Sequence, residues 1–280
     1  MPDPIRSARR RTISLFIIVH LLLTLVVNLV VFAGDTFRPL NSATGGLVTG
    51  SLVVNLGFIA LLVGAIILRV GGLRPYDIGL IGRNIAPGAA LTLAFWLVAQ
   101  SVHLIAGLLH HGTIALHPHW ALPGAAFVLG LLLSQVFGNA LFEEIAYRGF
   151  LFPQLYLRFL SLRAHPWGRF LLALVVSQML FALSHIPNRI YLGMMADEIA
   201  LDLVMLFGWG LLYTLLYLRT DNLFLVVGVH ALGNAPTTLF ATAPLLDGAG
   251  SSFLVYALAV GTIFVWPLLR ARRVRLAEAL

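Results

Sequence analysis

The chain contains no cysteine and no lysine, and only 10% of its 280 residues are charged. Without cysteine there is no disulfide, no thiolate nucleophile and no zinc or iron–sulfur site with thiolate ligands. All 18 basic residues are arginine, a bias that fits a GC-rich coding genome; a bacterial source is expected. A soluble domain carries about 25% charged residues, so this scarcity excludes an ordinary cytosolic globular protein. Disorder is excluded as well, because it needs few apolar residues and many charges. What the chain has in excess is apolar mass: 60% hydrophobic residues and a mean hydropathy of +0.95. That mass must face lipid.

A membrane helix needs about 20 apolar residues to cross about 30 Å of hydrocarbon. Eight runs qualify, near 13–33, 47–69, 86–109, 122–150, 170–188, 199–218, 222–241 and 252–269. They are continuous and Leu-rich rather than alternating, so they predict helices and not a barrel. The expected fold is therefore all-α, a polytopic transmembrane bundle of about eight spans forming one membrane domain over 1–280. Its parts are N-terminal spans without a recognised motif (1–121), a core (122–240), and a last span with a basic tail (241–280).

The net charge of +7 suggests nucleic acid less than it suggests topology, because the arginines flank the apolar runs. Arg6, Arg9, Arg10 and Arg11 precede the first run. Arg69, Arg74 and Arg83 follow the second; Arg158, Arg163 and Arg169 follow the fourth; Arg219 follows the sixth. The tail carries Arg270, Arg272, Arg273 and Arg275, and only Arg38 and Arg189 fall in the other set of loops. By the positive-inside rule both termini are expected in the cytoplasm of a multi-pass cell-membrane protein. Expected partners are the lipid bilayer and a membrane-associated peptide or protein substrate, with no nucleic acid. Oligomeric state is not legible.

Ionisable groups inside spans are expensive and are functional suspects by default. They concentrate in NALFEEIAYRGF (Glu143, Glu144, Arg148), FALSHIPNR (His185) and GVHALGNAP (His230, Asn234). Adjacent helical residues point about 100° apart, so Glu143 and Glu144 take different tasks. Glu144 and Arg148 are spaced i,i+4 and can pair. Glu143 is then free to face a cavity, with Asn139 and Gln135 one and two turns earlier on its side. His230 and Asn234, again i,i+4, can aim at one point. Measured from flanking arginines, Glu143 lies about 22 Å deep, His185 about 24 Å and His230 about 16 Å. The three can meet only if Arg148 is buried and paired.

A carboxylate, two histidines and an amide converging in a membrane cavity suggest hydrolysis. The carboxylate can take a proton from water, and the second His with the Asn can donate to an oxyanion. Alternatively Glu143, His185 and His230 could hold a zinc ion that activates water. The spacing leaves both open, although the more specific H-E-x-x-H pattern is lacking.

The ordered set E-E-x-x-x-R, F-x-x-x-H and H-x-x-x-N reads here as Glu143-Glu144…Arg148, Phe181…His185 and His230…Asn234. It resembles the CPBP family of intramembrane proteases, which includes the type II CAAX prenyl endopeptidases and bacterial relatives, some linked to bacteriocin immunity. The resemblance covers roughly 122–240. It implies a multi-helix membrane fold with a cavity open toward the cytoplasm. It also implies that Glu143 activates water with help from His185, that His230 and Asn234 stabilise the oxyanion, and that Glu144 and Arg148 support the site. Both zinc-dependent and metal-free mechanisms are compatible with it, the metal-free one being favoured, and it does not establish prenylated substrates.

Two other function classes use the same residues. A non-catalytic immunity or scaffold protein would retain them without needing Glu143. A proton-coupled transporter would use them as a relay, but the paired halves typical of such folds are not visible. His20, Asn28, Asn55 and Gln100 in the early spans read as polar glue or cavity lining. His110, His111, His117 and His119 read as a solvated loop rather than a metal cluster, and Trp120 and Trp266 as interface anchors.

Overall fold

The computed structural model describes residues 5–121 and 124–277, with the side chains of residue 249 and of 268–277 outside the description. Leu122 and Pro123, at the start of the expected fourth run, and the side chains of the four tail arginines therefore lie outside the described residues. Among the described residues the chain is helical, with no strand beyond a single bridge between Leu116 and Phe240. Seven helices among the described residues are long and apolar enough to cross a membrane. They are α1 (Arg10–Phe32), α2 (Gly50–Val70), α3 (Gly82–His111), α4 (Gly124–Phe159), α5 (Pro166–Tyr191), α6 (Ala196–Thr220), and, after a shorter helix α7 (Leu223–Asn234), α8 (Ala249–Ala277), whose Gly250–Pro267 part qualifies.

The expected seventh run, 222–241, is therefore only partly helical. Asn222 starts α7, its side-chain oxygen accepting from the backbone of Phe224 and Leu225. Pro236 stops it, because the residue before a proline is pushed out of the α region; Ala235 is extended, with φ −108° and ψ 134°. Twelve residues span about 18 Å, and the chain continues this seventh passage as a largely irregular segment to residue 248. That segment would be costly in lipid unless its backbone were bonded, and the protein bonds it. Gln100 donates to the Thr237 carbonyl and accepts from Leu239 N–H. Trp120 donates to the Thr238 carbonyl, and His119 and His111 reach the carbonyls of Thr238 and Thr242. Ala115 and His117 add backbone bonds. The histidine-rich loop is thus a cap on the unwound segment, with His117 paired to Asp247.

α7 sits at the centre of the bundle, with Leu225, Val226, Val229 and Ala231 fully buried. Its approach to α3 is permitted by glycine: a Cβ on Gly228 would lie 2.0 Å from Thr92 Oγ1. Around it the outer helices present leucines and valines such as Leu22, Val30, Leu109 and Val204 outward, as lipid-facing helices must.

Two ends of the bundle are distinguished by their contacts. At one, Ala8 N–H donates to Gln154, Arg6 approaches Asp77, and Asn84 donates to the Asp221 carbonyl. The N-terminus and the α2–α3, α4–α5 and α6–α7 connections therefore share one face, which carries the basic residues. The α3–α4 loop and the segment after α7 share the other.

Candidate active site

α4 carries the two glutamates where its winding widens into a π-helical stretch, Glu144–Leu151, all of whose residues are buried. Such widened turns often accompany functional sites. The Arg148 guanidinium is fully buried and donates to Glu144 Oε1, Gln178 Oε1 and the Gly210 carbonyl, each at 3.2 Å. It also lies 4.5 Å from the centroid of the Phe181 ring and 5.3 Å from that of Tyr213. A buried cation with an ionic partner, polar acceptors and aromatic faces ties α4, α5 and α6 together.

Glu144 has a second task. Its Oε1 also accepts from His230 Nδ1 at 2.7 Å. That bond fixes the imidazole of α7, which stacks on Tyr213 with centroids 4.6 Å apart, and aims Nε2 at Glu143 Oε2, 3.7 Å away. The neighbouring carboxylates diverge around the helix, yet one imidazole bridges between them, a convergence that their sequence adjacency did not suggest.

His185 arrives from the opposite wall. Pro187 lacks an N–H and its ring displaces the preceding turn, so α5 breaks at Ser184–His185. The Phe181 carbonyl, which can only accept, takes Ser184 Oγ and His185 Nδ1, both at 2.8 Å. His185 Nδ1 is therefore the protonated nitrogen, and its Nε2 lies 3.6 Å from Glu143 Oε1. Each histidine is held by Nδ1 and turns Nε2 to a different oxygen of one carboxylate. Glu143 Oε2 is buried without a hydrogen-bond partner in the protein.

These groups line one cavity of about 460 Å³. Asn234 also faces it, but its amide donates to Gln135 Oε1 at 3.3 Å, as the amide of Asn139 does at 3.4 Å. The structure thus brings Glu143, His185 and His230 together, and places Glu144 and Arg148 behind them. Asn234 sits one turn beyond His230, engaged elsewhere. Among the described residues no three His, Asp or Glu side chains group as a metal site.

Sequence reasoning missed several residues of this site. Tyr147 links His20 of α1 (3.0 Å) to Ser184 of α5 (2.9 Å) directly beneath the cavity. Asn188 donates to Asn28 across the rim, and Tyr256, Trp209 and Arg189 close the wall. Tyr147 and Ser184 lie inside quoted motifs, so their polarity at span depth was an available signal. Trp209 and Tyr256 had none, since aromatics are ordinary in lipid-facing helices.

Residues 124–236 match the family model described as Type II CAAX prenyl endopeptidase Rce1-like. The matched stretch includes all seven residues of the three motifs and agrees with the family they resemble. No curated protein and no solved structure matches the chain. The protein is a multi-pass membrane protein, and residues 124–236 in its second half are similar to this protease family.

Proposed function

We propose that the protein is an intramembrane endopeptidase in which Glu143 activates water for attack on a peptide bond. The observation that carries this reading is the Glu143 carboxylate, with an imidazole Nε2 at 3.6 Å from one oxygen and 3.7 Å from the other. Both separations exceed direct hydrogen bonds and suit a water held between the groups. Such a water donates one hydrogen to Glu143 and the other to the unprotonated His185 Nε2. Glu143 then removes a proton as the oxygen attacks the carbonyl, and returns it to the leaving amine. His230 Nε2 and Asn234 Nδ2 are the donors available to the oxyanion. For His230 this requires both ring protons, with the carboxylates of Glu143 and Glu144 on either side as counter-charges. Asn234 must release Gln135 to take part.

The rest of the wall supports a polypeptide substrate. Asn28, Asn55, Gln135, Asn139, Asn188 and Asn234 surround the cavity with carboxamides. Neutral groups that both donate and accept match an extended peptide backbone, which carries one donor and one acceptor per residue.

The test is Glu143→Gln, which preserves shape and removes the base. Purified parent and variant are incubated in liposomes with a peptide library and cleavage is read by mass spectrometry. Loss of about 10²–10⁴-fold in rate is expected. A folded variant that cleaves as fast as the parent overturns the proposal and favours a scaffold role.

A further inference from the structure

We infer that the cavity is loaded from the extracytoplasmic side, so that the substrate is a polypeptide segment presented there and not a lipidated cytoplasmic tail. The inference rests on the proteolytic reading for the word substrate, but its geometry stands independently.

Two observations meet. The first is where the cavity opens. Its wall runs out to Phe32 at the last turn of α1, Ser51 at the first turn of α2, and Asn188 and Arg189 at the last turn of α5. All three are ends of helices at the face of the α3–α4 loop. His185 lies about 9 Å from that end of α5 and about 28 Å from its other end at Pro166. No lining residue belongs to the helix ends of the other face.

The second is charge. The face away from the opening carries Arg6, Arg9, Arg10 and Arg11 and the arginines of three short connections, eleven in all, and α8 also ends there. The face at the opening carries only Arg38 and Arg189. Both of these are matched by acids, Arg38 by Asp35 at 3.5 Å and Arg189 by Asp202 at 2.7 Å. Arginines in short loops stay cytoplasmic. A cytoplasmic N-terminus and a cytoplasmic cavity mouth therefore exclude each other in this fold, and the arginine asymmetry decides for an outward mouth.

The absence of native cysteine makes the test direct. Three single variants of the full chain are expressed in bacterial cells: Ser51→Cys in the cavity mouth, Ser42→Cys exposed on the short helix Arg38–Ala43 at the same face, and Ser161→Cys in the exposed loop of the basic face. Intact spheroplasts and lysed membranes are treated with a membrane-impermeant sulfonated maleimide. Labelling of Ser42→Cys and Ser51→Cys in intact spheroplasts is expected, with Ser161→Cys labelled at least ten-fold more after lysis. The reverse pattern overturns the inference. So does a Ser51→Cys that is labelled only after lysis while Ser42→Cys reacts in intact spheroplasts. Repeating the set with Glu143→Gln must leave the pattern unchanged. Labelling does not depend on cleavage, so failure of the proteolytic reading and failure of this inference are separately visible.

Discussion

Neutralising Glu144 perturbs the frame of the site while keeping its shape. In Glu144→Gln the amide oxygen can still accept from Arg148 and from His230 Nδ1, which now share Oε1 at 3.2 and 2.7 Å. The charge is lost, and the Arg148 guanidinium, 0% exposed, is left without an anion. Breaking a buried pair from one side costs about 3–5 kcal/mol; the retained hydrogen bonds place this variant near about 3 kcal/mol. For a chain of this size each kcal/mol moves Tm by about 2–4 °C, so a fall of about 10 °C is expected by thermal unfolding in detergent. Arg148→Met alone should cost about as much, because it strands Glu144. Combining the two removes both charges, and the double variant should be more stable than the summed single losses imply by about 3 kcal/mol. Cleavage by Glu144→Gln should also fall, since His230 loses the anionic partner that orients it. Single losses that simply add in the double variant would refute the reasoning.

Asn234→Ala should lower kcat by about 10²-fold with little change in Tm, since it removes an oxyanion donor from an exposed position; equal rates would remove Asn234 from the mechanism. A fully effective chelator should leave cleavage by the parent unchanged, and lost cleavage would return Glu143, His185 and His230 to the role of metal ligands. Burial alone would raise the Asp77 carboxyl, but hydrogen bonds from the Arg74 side chain and from the backbone of Arg74 and Arg6 outweigh it and hold it below the usual aspartate value. With a depressed folded value, its stabilisation is present above about pH 4 and lost as pH falls through the folded value. Thermal scans from pH 7 to pH 3 should therefore show a low-pH loss that Asp77→Asn reduces. Gly149→Ala should destabilise by about 1–3 kcal/mol, because its Cβ would sit 2.2 Å from the Ile78 carbonyl oxygen; an unchanged Tm would contradict that packing.

Much of this protein is legible in one dimension. Crossing a bilayer needs a continuous apolar run, so α1 to α6 and α8 announce themselves by length. Arg148 at span depth demands an anion, and Glu144 four residues earlier is the local candidate. The seventh passage misled because hydropathy continues through Leu239 and Phe240, while the helix depends on backbone geometry and ends before Pro236. The histidine loop looked solvated because nothing local shows that it caps an unwound segment more than 100 residues away.

The amino-acid sequence by itself determined the membrane class, the long apolar runs and the three motifs, since lipid solubility and i,i+4 spacing are local properties. Only the tertiary structure decided which imidazole nitrogen faces Glu143, that Glu144 also holds His230, and that α1 and α2 contribute walls. It alone placed the mouth of the cavity opposite the basic face. These are relations between helices distant in the chain, set by how side chains and glycines let the helices pack, and no periodicity within one segment encodes them.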